Sequence, residues 1–218
     1  MAAPVSRWRT VLVTVIIAYG LLLLMGVGVI YSGLYDISAD THHWGLAYQV
    51  FETARVRSVK AHATGIVPPV GLDDESKIIT GVEHFADHCA VCHGAPGVPK
   101  SDISNGLYPR PPELAVSATR YTDAELFWVV KHGIKMTGMP SWGDHSDDEI
   151  WATVAFLRKL PELTPGDYAR LVMQAMSYSG QHHPGGKGDE IGTHPAGTDT
   201  GTPHEHRGGY PPVSPIGR

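Results

Sequence analysis

Residues 89–93 read Cys-Ala-Val-Cys-His, and this short stretch decides more about the chain than any other. On one turn of helix the thiols of Cys89 and Cys92 share a face, and His93 follows directly. Both sulfurs can then bond to the vinyl groups of one haem while the imidazole reaches the iron. The spacing therefore predicts one covalently bound haem c, attached through Cys89 and Cys92, with His93 as an axial ligand of the iron.

Two other kinds of site also use a Cys-x-x-Cys pair. A thioredoxin-like dithiol normally follows a strand in a βαβ unit, and no alternating strand pattern of useful length occurs in the sequence. A structural zinc site needs a second ligand pair at comparable spacing, but the chain has only two cysteines. Haem attachment is therefore the preferred interpretation.

Helical periodicity surrounds the cysteines. Four segments show it: residues 73–88, 122–133, 146–160 and, more weakly, 164–176. The third opens with Ser-Asp-Asp-Glu, the spacing of a capping box, and stops at a proline. The predicted fold class is all-α, with a haem domain over residues 73–163 and a possible extra helix over residues 164–176.

A second axial ligand is expected from residues 133–143, Gly-Ile-Lys-Met-Thr-Gly-Met-Pro-Ser-Trp-Gly. Met139, held between a glycine and a proline, has little packing reason to be in such a loop and is the preferred ligand. Met136 is expected to fill a gap in the core instead. Other candidate ligands are Met136, His132 and His145. A thioether ligand raises the reduction potential relative to two histidines, which suits electron transfer.

The N-terminal region contains an uncharged apolar stretch. Residues 11–30, at about 1.5 Å per residue, are long enough to cross a hydrocarbon core of about 30 Å. Arginines precede this stretch and aspartates follow it, which places the N-terminus in the cytoplasm. A cleaved signal is the alternative, although its apolar region is usually shorter. We predict an anchor within residues 1–33, in the bacterial inner membrane, with the haem domain in the periplasm.

The segments flanking the haem domain differ in composition. Within the linker, residues 34–72, a membrane-proximal amphipathic helix is predicted at residues 44–62. Residues 177–218 contain ten Gly, six Pro and five His, and are predicted to be disordered. The tail histidines, which offer a possible site for copper, nickel or zinc, are His182, His183, His194, His204 and His206.

The order of elements over residues 75–160 resembles the class I c-type cytochromes: helix, C-x-x-C-H, loop, helix, Gly-Met-Pro, helix. In that family a glycine and an aromatic residue on the first helix cross an aromatic residue on the last. Gly81, Phe85 and Phe156 match those positions. The resemblance implies that these residues form the main helix crossing.

The same resemblance implies neighbours for the haem. A proline carbonyl should accept a hydrogen bond from the ligand histidine, and Pro112 matches that proline, with Pro111 as the alternative. Residues expected near the haem propionates are Arg110, Tyr108 and Trp142, although surface packing would explain them equally well.

The anchor and linker are similar to those of membrane-bound monohaem cytochromes of bacterial respiratory chains. This resemblance implies an electron carrier, not an enzyme, that passes single electrons between redox partner proteins in the periplasm. The alternatives are a haem subunit of an oxidase or dehydrogenase complex, or a small-molecule-binding haem enzyme with an open sixth position. A net charge of −5 spread over both signs argues against a nucleic-acid partner.

Overall fold

The structure, a computed structural model, describes residues 7–182. Its helices are α1 (Arg7–Tyr31), α2 (Gly45–His62), α3 (Glu75–His84), α4 (Ala90–His93), α5 (Asp102–Asn105), α6 (Leu114–Ser117), α7 (Asp123–His132), α8 (Asp147–Lys159) and α9 (Pro165–His182). A π-helical turn, Phe85–Cys89, joins α3 to α4, and 3₁₀ turns follow α6 and α8. No strand occurs among these residues, so the all-α prediction is confirmed.

Helix α1 contains the predicted apolar stretch and extends it at both ends. Its 25 residues span about 38 Å, and none of its side chains is buried. Within the described range it is the one helix whose length and composition would let it cross a membrane. A signal sequence near the N-terminus would have the same properties.

The crossing of α3 and α8 forms the centre of the core. At Gly81, an added Cβ would lie 1.9 Å from the carbonyl oxygen of Ala152, so the two backbones approach as closely as glycine permits. The fully buried rings of Phe85 and Phe156 meet one turn further on, with centroids 4.9 Å apart. This is the crossing that the resemblance implied, and it fixes the path of α3 toward Cys89.

Capping boxes begin the two helices that follow the attachment segment. Thr122 accepts a hydrogen bond from the backbone N–H of Glu125, whose carboxylate accepts one from the backbone N–H of Thr122. Ser146 and Glu149 make the same reciprocal pair at α8. Each box satisfies N–H groups that a helix start leaves without partners. The predicted starts of both helices are confirmed.

Helix α9 is longer than the sequence pattern indicated. It packs against α3, with Tyr168 and Ala175 buried. The helix continues to His182, into the first part of the segment predicted to be disordered. Residues 183–218, which include four of the five tail histidines, lie outside the described residues. The predictions of disorder and of metal binding in that part of the tail therefore stay predictions.

Helix α2 packs on α7 mainly through its C-terminal half. Val59 is buried, and the Arg55 guanidinium donates a hydrogen bond to the Tyr121 hydroxyl at 2.5 Å. Toward the N-terminus of α2 the apolar side chains stay half-exposed, including Phe51 at 50%. The predicted amphipathic helix is therefore present, but only part of its apolar face is covered by the haem domain.

Candidate haem site

A π-helical turn, Phe85–Cys89, connects α3 to the second cysteine and the histidine of the attachment segment. The sequence pattern predicts instead that the α-helix continues to residue 88. A π turn widens the helix by one residue, and such turns are frequent at functional sites. Cys89 is buried at the end of this turn, and Cys92 is partly covered in α4. Neither forms a disulfide. Gly94, at a φ of +70°, then ends α4.

The environment of Cys89 does not suit disulfide exchange. Burial, with a smaller contribution from Cys92, raises the pKa of the Cys89 thiol to about 12. Catalytic dithiols instead depend on a cysteine whose pKa is lowered, because the thiolate is the attacking species. This environment argues against the thioredoxin-like alternative.

His93 is oriented by one hydrogen bond. Its Nδ1 lies 2.8 Å from the carbonyl oxygen of Pro112. A carbonyl only accepts, so Nδ1 carries the proton and Nε2 is left with a free lone pair. Burial lowers the pKa of His93, while the hydrogen bond to Pro112 acts in the opposite direction. The imidazole is therefore neutral at neutral pH, as an iron ligand must be.

Two further hydrogen bonds tie the loops on either side of His93 together. The Lys100 ammonium donates to the carbonyl oxygen of Pro111 at 2.7 Å. The buried Ser104 hydroxyl donates to the carbonyl oxygen of Cys92 at 2.6 Å. The Pro111 carbonyl therefore accepts from Lys100, and the Pro112 carbonyl accepts from His93. Of the two prolines that the sequence offered as partners of His93, the geometry favours Pro112.

The loop that carries Met139 is a closed turn. Ile134 N–H donates to the Met139 carbonyl at 3.2 Å, and Met139 N–H donates to the Thr137 hydroxyl at 3.1 Å. Gly133 closes the base, since an added Cβ there would lie 2.5 Å from the Pro140 carbonyl group. The Met139 side chain is partly buried. Backbone hydrogen bonds thus hold this methionine in one position.

The expectation that Met136 fills a gap in the core is wrong. Its side chain is 83% exposed, and its backbone has a φ of +61°. A positive φ is uncommon for a residue other than glycine, and here it occurs where the loop reverses direction. Met136 and Met139 therefore differ clearly in burial, although both lie in the same short loop.

The residues expected near the propionates lie in different surroundings. Arg110 is exposed. The Tyr108 hydroxyl accepts a hydrogen bond from the backbone N–H of His43 at 3.1 Å, and the two rings are 5.0 Å apart. Tyr108 thus connects the proline-rich loop to the linker that follows α1. No local pattern predicts this contact, because the two partners lie 65 positions apart in the chain.

Trp142 packs within a group of three histidines that we call the histidine cluster: His84, His88 and His145. Its indole ring lies 5.4, 4.8 and 5.5 Å from their respective ring centroids. The remaining alternative ligand, His132, lies against Trp128 at 5.1 Å. Sequence reasoning overlooked the cluster, although the i, i+4 spacing of His84 and His88 was a usable signal.

The residues present fit a covalently bound haem. Two cysteines lie on adjacent turns, and an oriented neutral imidazole follows them. A partly buried methionine lies in a hydrogen-bonded loop downstream. These are the side chains by which c-type cytochromes hold haem and its iron.

Comparison with known proteins gives an independent result. The family model described as cytochrome c oxidase, cbb3-type, subunit III matches residues 76–157, from the first turn of α3 into α8. The match covers well under half of the 218-residue chain and includes the attachment segment and the Met139 loop. No curated protein matches the chain. Residues 76–157 are therefore a c-type cytochrome domain of the monohaem class, and the chain is an electron-transfer protein with covalently bound haem c.

Proposed function

We propose that this chain is a membrane-tethered electron carrier of the periplasm, with one haem attached through Cys89 and Cys92. His93 and Met139 would be the axial ligands of its iron. The observation that carries this proposal is the hydrogen bond from His93 Nδ1 to the Pro112 carbonyl, which leaves Nε2 as the ligating atom. Haem c supplies a reversible one-electron couple at its iron.

The protein's own residues tune that couple. The Pro112 carbonyl fixes the orientation of the His93 ring and increases its basicity as a ligand. The hydrogen bonds at Ile134 and Thr137 fix the Met139 backbone, so this residue would be held in place whichever oxidation state the bound haem adopts. Ligands that do not move keep the reorganisation between the two oxidation states small, which favours rapid electron exchange.

The linker supports a haem domain held close to the membrane. Thirteen residues separate the end of α1 from the start of α2. Within them His43 donates its backbone N–H to Tyr108, and its ring Nδ1 lies 2.6 Å from the Tyr35 hydroxyl. These contacts fasten the linker to the same proline-rich loop that orients His93, so the tether and the haem site share one structural unit.

Tethering has a direct test. The full chain should be recovered in the membrane fraction with an intact mass that includes residues 1–31. A variant in which a cleavable signal sequence replaces residues 1–31 should appear in the soluble periplasmic fraction, with the same haem spectrum. The reason is that α1 buries nothing within the protein and contributes only membrane affinity. A full chain that matures without these residues would identify them as a signal and contradict the tether.

A small-molecule-binding enzyme is the main competing function, and carbon monoxide distinguishes it. The reduced wild-type protein should keep its Soret spectrum under carbon monoxide, because Met139 holds the sixth position. Rapid, stoichiometric binding would indicate an open position and overturn the carrier proposal.

The matched family model favours a second candidate, a haem subunit of a membrane oxidase. Both candidates involve electron transfer, so the haem site does not separate them. A subunit would co-purify in mild detergent with partner polypeptides in fixed ratio, whereas a free carrier would migrate alone.

A further inference from the structure

The histidine cluster lies where two separate parts of the haem domain meet. His84 and His88 are four residues apart on the helical segment that leads into the cysteines, so their side chains share a face. His145 comes from the loop just before α8, where its backbone N–H donates to the Trp142 carbonyl at 3.1 Å. The cluster thus depends on the tertiary fold and is absent from any single helix.

The three imidazoles are close enough to share a ligand. Ring centroids are separated by 4.7 Å for His84–His88, 4.7 Å for His84–His145 and 5.9 Å for His88–His145. For metal–nitrogen bonds of about 2.0–2.1 Å in tetrahedral geometry, imidazole centroids would be about 5 Å apart. Two of the three centroid separations lie close to that value and the third, His88–His145, exceeds it by about 1 Å, so modest ring rotation would bring the three rings around one ion.

One buried nitrogen atom of the cluster, His84 Nε2, has no hydrogen-bond partner among the described residues. Leaving a buried polar atom without a partner is unfavourable, and a bound ion or water is one common reason for finding such an atom in a folded protein. Burial, followed by His88 and His145, lowers the pKa of His84 to about 4. The ring is neutral at neutral pH and offers a lone pair.

His145 has a carboxylate beside it. Its Nδ1 lies 4.0 Å from the Glu149 carboxylate, which the α8 capping box holds in place. Metal-binding histidines commonly have a carboxylate beside the ring nitrogen that does not ligate. At 4.0 Å the two groups are too far apart for a hydrogen bond, so Glu149 would orient the His145 ring once that ring turns toward it.

We propose that His84, His88 and His145 form a binding site for a divalent transition-metal ion of the zinc or copper type. Three imidazoles are a preferred donor set for these ions. Among residues 7–182 no group of three such side chains is arranged to hold a metal ion in the present conformation, so binding requires the imidazole rings to rotate. His88 is exposed and His145 only partly covered, which leaves both rings free to turn.

Zinc is the appropriate probe, since it cannot exchange electrons with the haem. In the ferric, full-length holoprotein, saturating Zn²⁺ should raise the melting temperature by about 5 °C or more, because the ion binds the folded cluster. The rise should disappear on addition of a chelator. Each of His84→Gln and His145→Gln should abolish most of it.

The matched control is His132→Gln, which removes a histidine outside the cluster and should keep the full rise. All these chains carry the same tail histidines, so any zinc bound there contributes equally. No rise in the wild type, or an equal rise in all variants, would overturn the proposal. Should His84→Gln fold poorly, His145→Gln decides alone, since His145 lies in a partly exposed loop.

The proposal rests on the proposed function in one respect, that His145 is not an iron ligand. The haem spectrum of His145→Gln distinguishes failure of the zinc-site proposal from failure of the proposed iron ligation. An unchanged spectrum with a lost zinc response supports both proposals. A changed spectrum would instead identify His145 as a ligand and refute the Met139 assignment.

Discussion

Substitution of Met139 by alanine should leave the haem attached but remove the sixth ligand of its iron. The weak far-red absorption band that methionine gives to ferric haem should disappear. The reduction potential should fall by on the order of 0.1 V, within the range of about 0.8 V that axial ligands control. The reduced variant should also bind carbon monoxide. Optical spectra and a redox titration of the purified variant measure all three effects.

Met136→Ala is the matched control, because it removes the same side chain from the same loop. Met136 is 83% exposed, so its loss should change neither the band nor the potential. If Met136→Ala abolished the band and Met139→Ala did not, Met136 would be the iron ligand in place of Met139. If the band persisted in both variants, a different methionine would be the ligand, whereas absence of the band from the wild type would point to a histidine ligand.

Local patterns made much of this structure predictable. Capping at Thr122 and Ser146 depends only on residues three positions apart, and both capping boxes are present. The attachment segment is equally local, since five consecutive residues specify the chemistry. The crossing at Gly81 became predictable only through the family resemblance, because its partner Ala152 lies 71 positions further along the chain.

The features that were not predicted depend on distant partners or on backbone conformation. The exposure of Met136 accompanies a positive φ, which a non-glycine residue rarely adopts and composition does not indicate. The surroundings of Trp142 depend on α3 bringing His84 and His88 to the loop before α8. Helix α9 gains stability by burying Tyr168 beside the rings of Phe85 and Phe156, which outweighs its weak sequence pattern.

Among the glycines that the structure describes, Gly81 leaves the least room for an added Cβ, so Gly81→Ala should destabilise the haem domain strongly. The new Cβ would lie 1.9 Å from the Ala152 carbonyl oxygen and 2.9 Å from the Phe156 Cβ. Neither is the end of a flexible side chain, so α3 and α8 must separate along their contact. Overpacking typically costs about 1–3 kcal/mol of the free energy of unfolding, and a clash with backbone atoms this close should reach the upper end of that range. Urea denaturation followed by circular dichroism measures the loss.

The sign of that result is informative because helix propensity acts in the opposite direction. Alanine in place of glycine inside a helix is favourable by about 1 kcal/mol, so any net loss underestimates the clash. Gly106→Ala is the control: its added Cβ would have Ile103 O as nearest atom, at 3.6 Å, and its φ of −86° suits alanine. That variant should stay within about 0.5 kcal/mol of the wild type. If Gly81→Ala did the same, the close crossing would not be what positions α3, and Cys89 would owe its place to the loops around His93 instead.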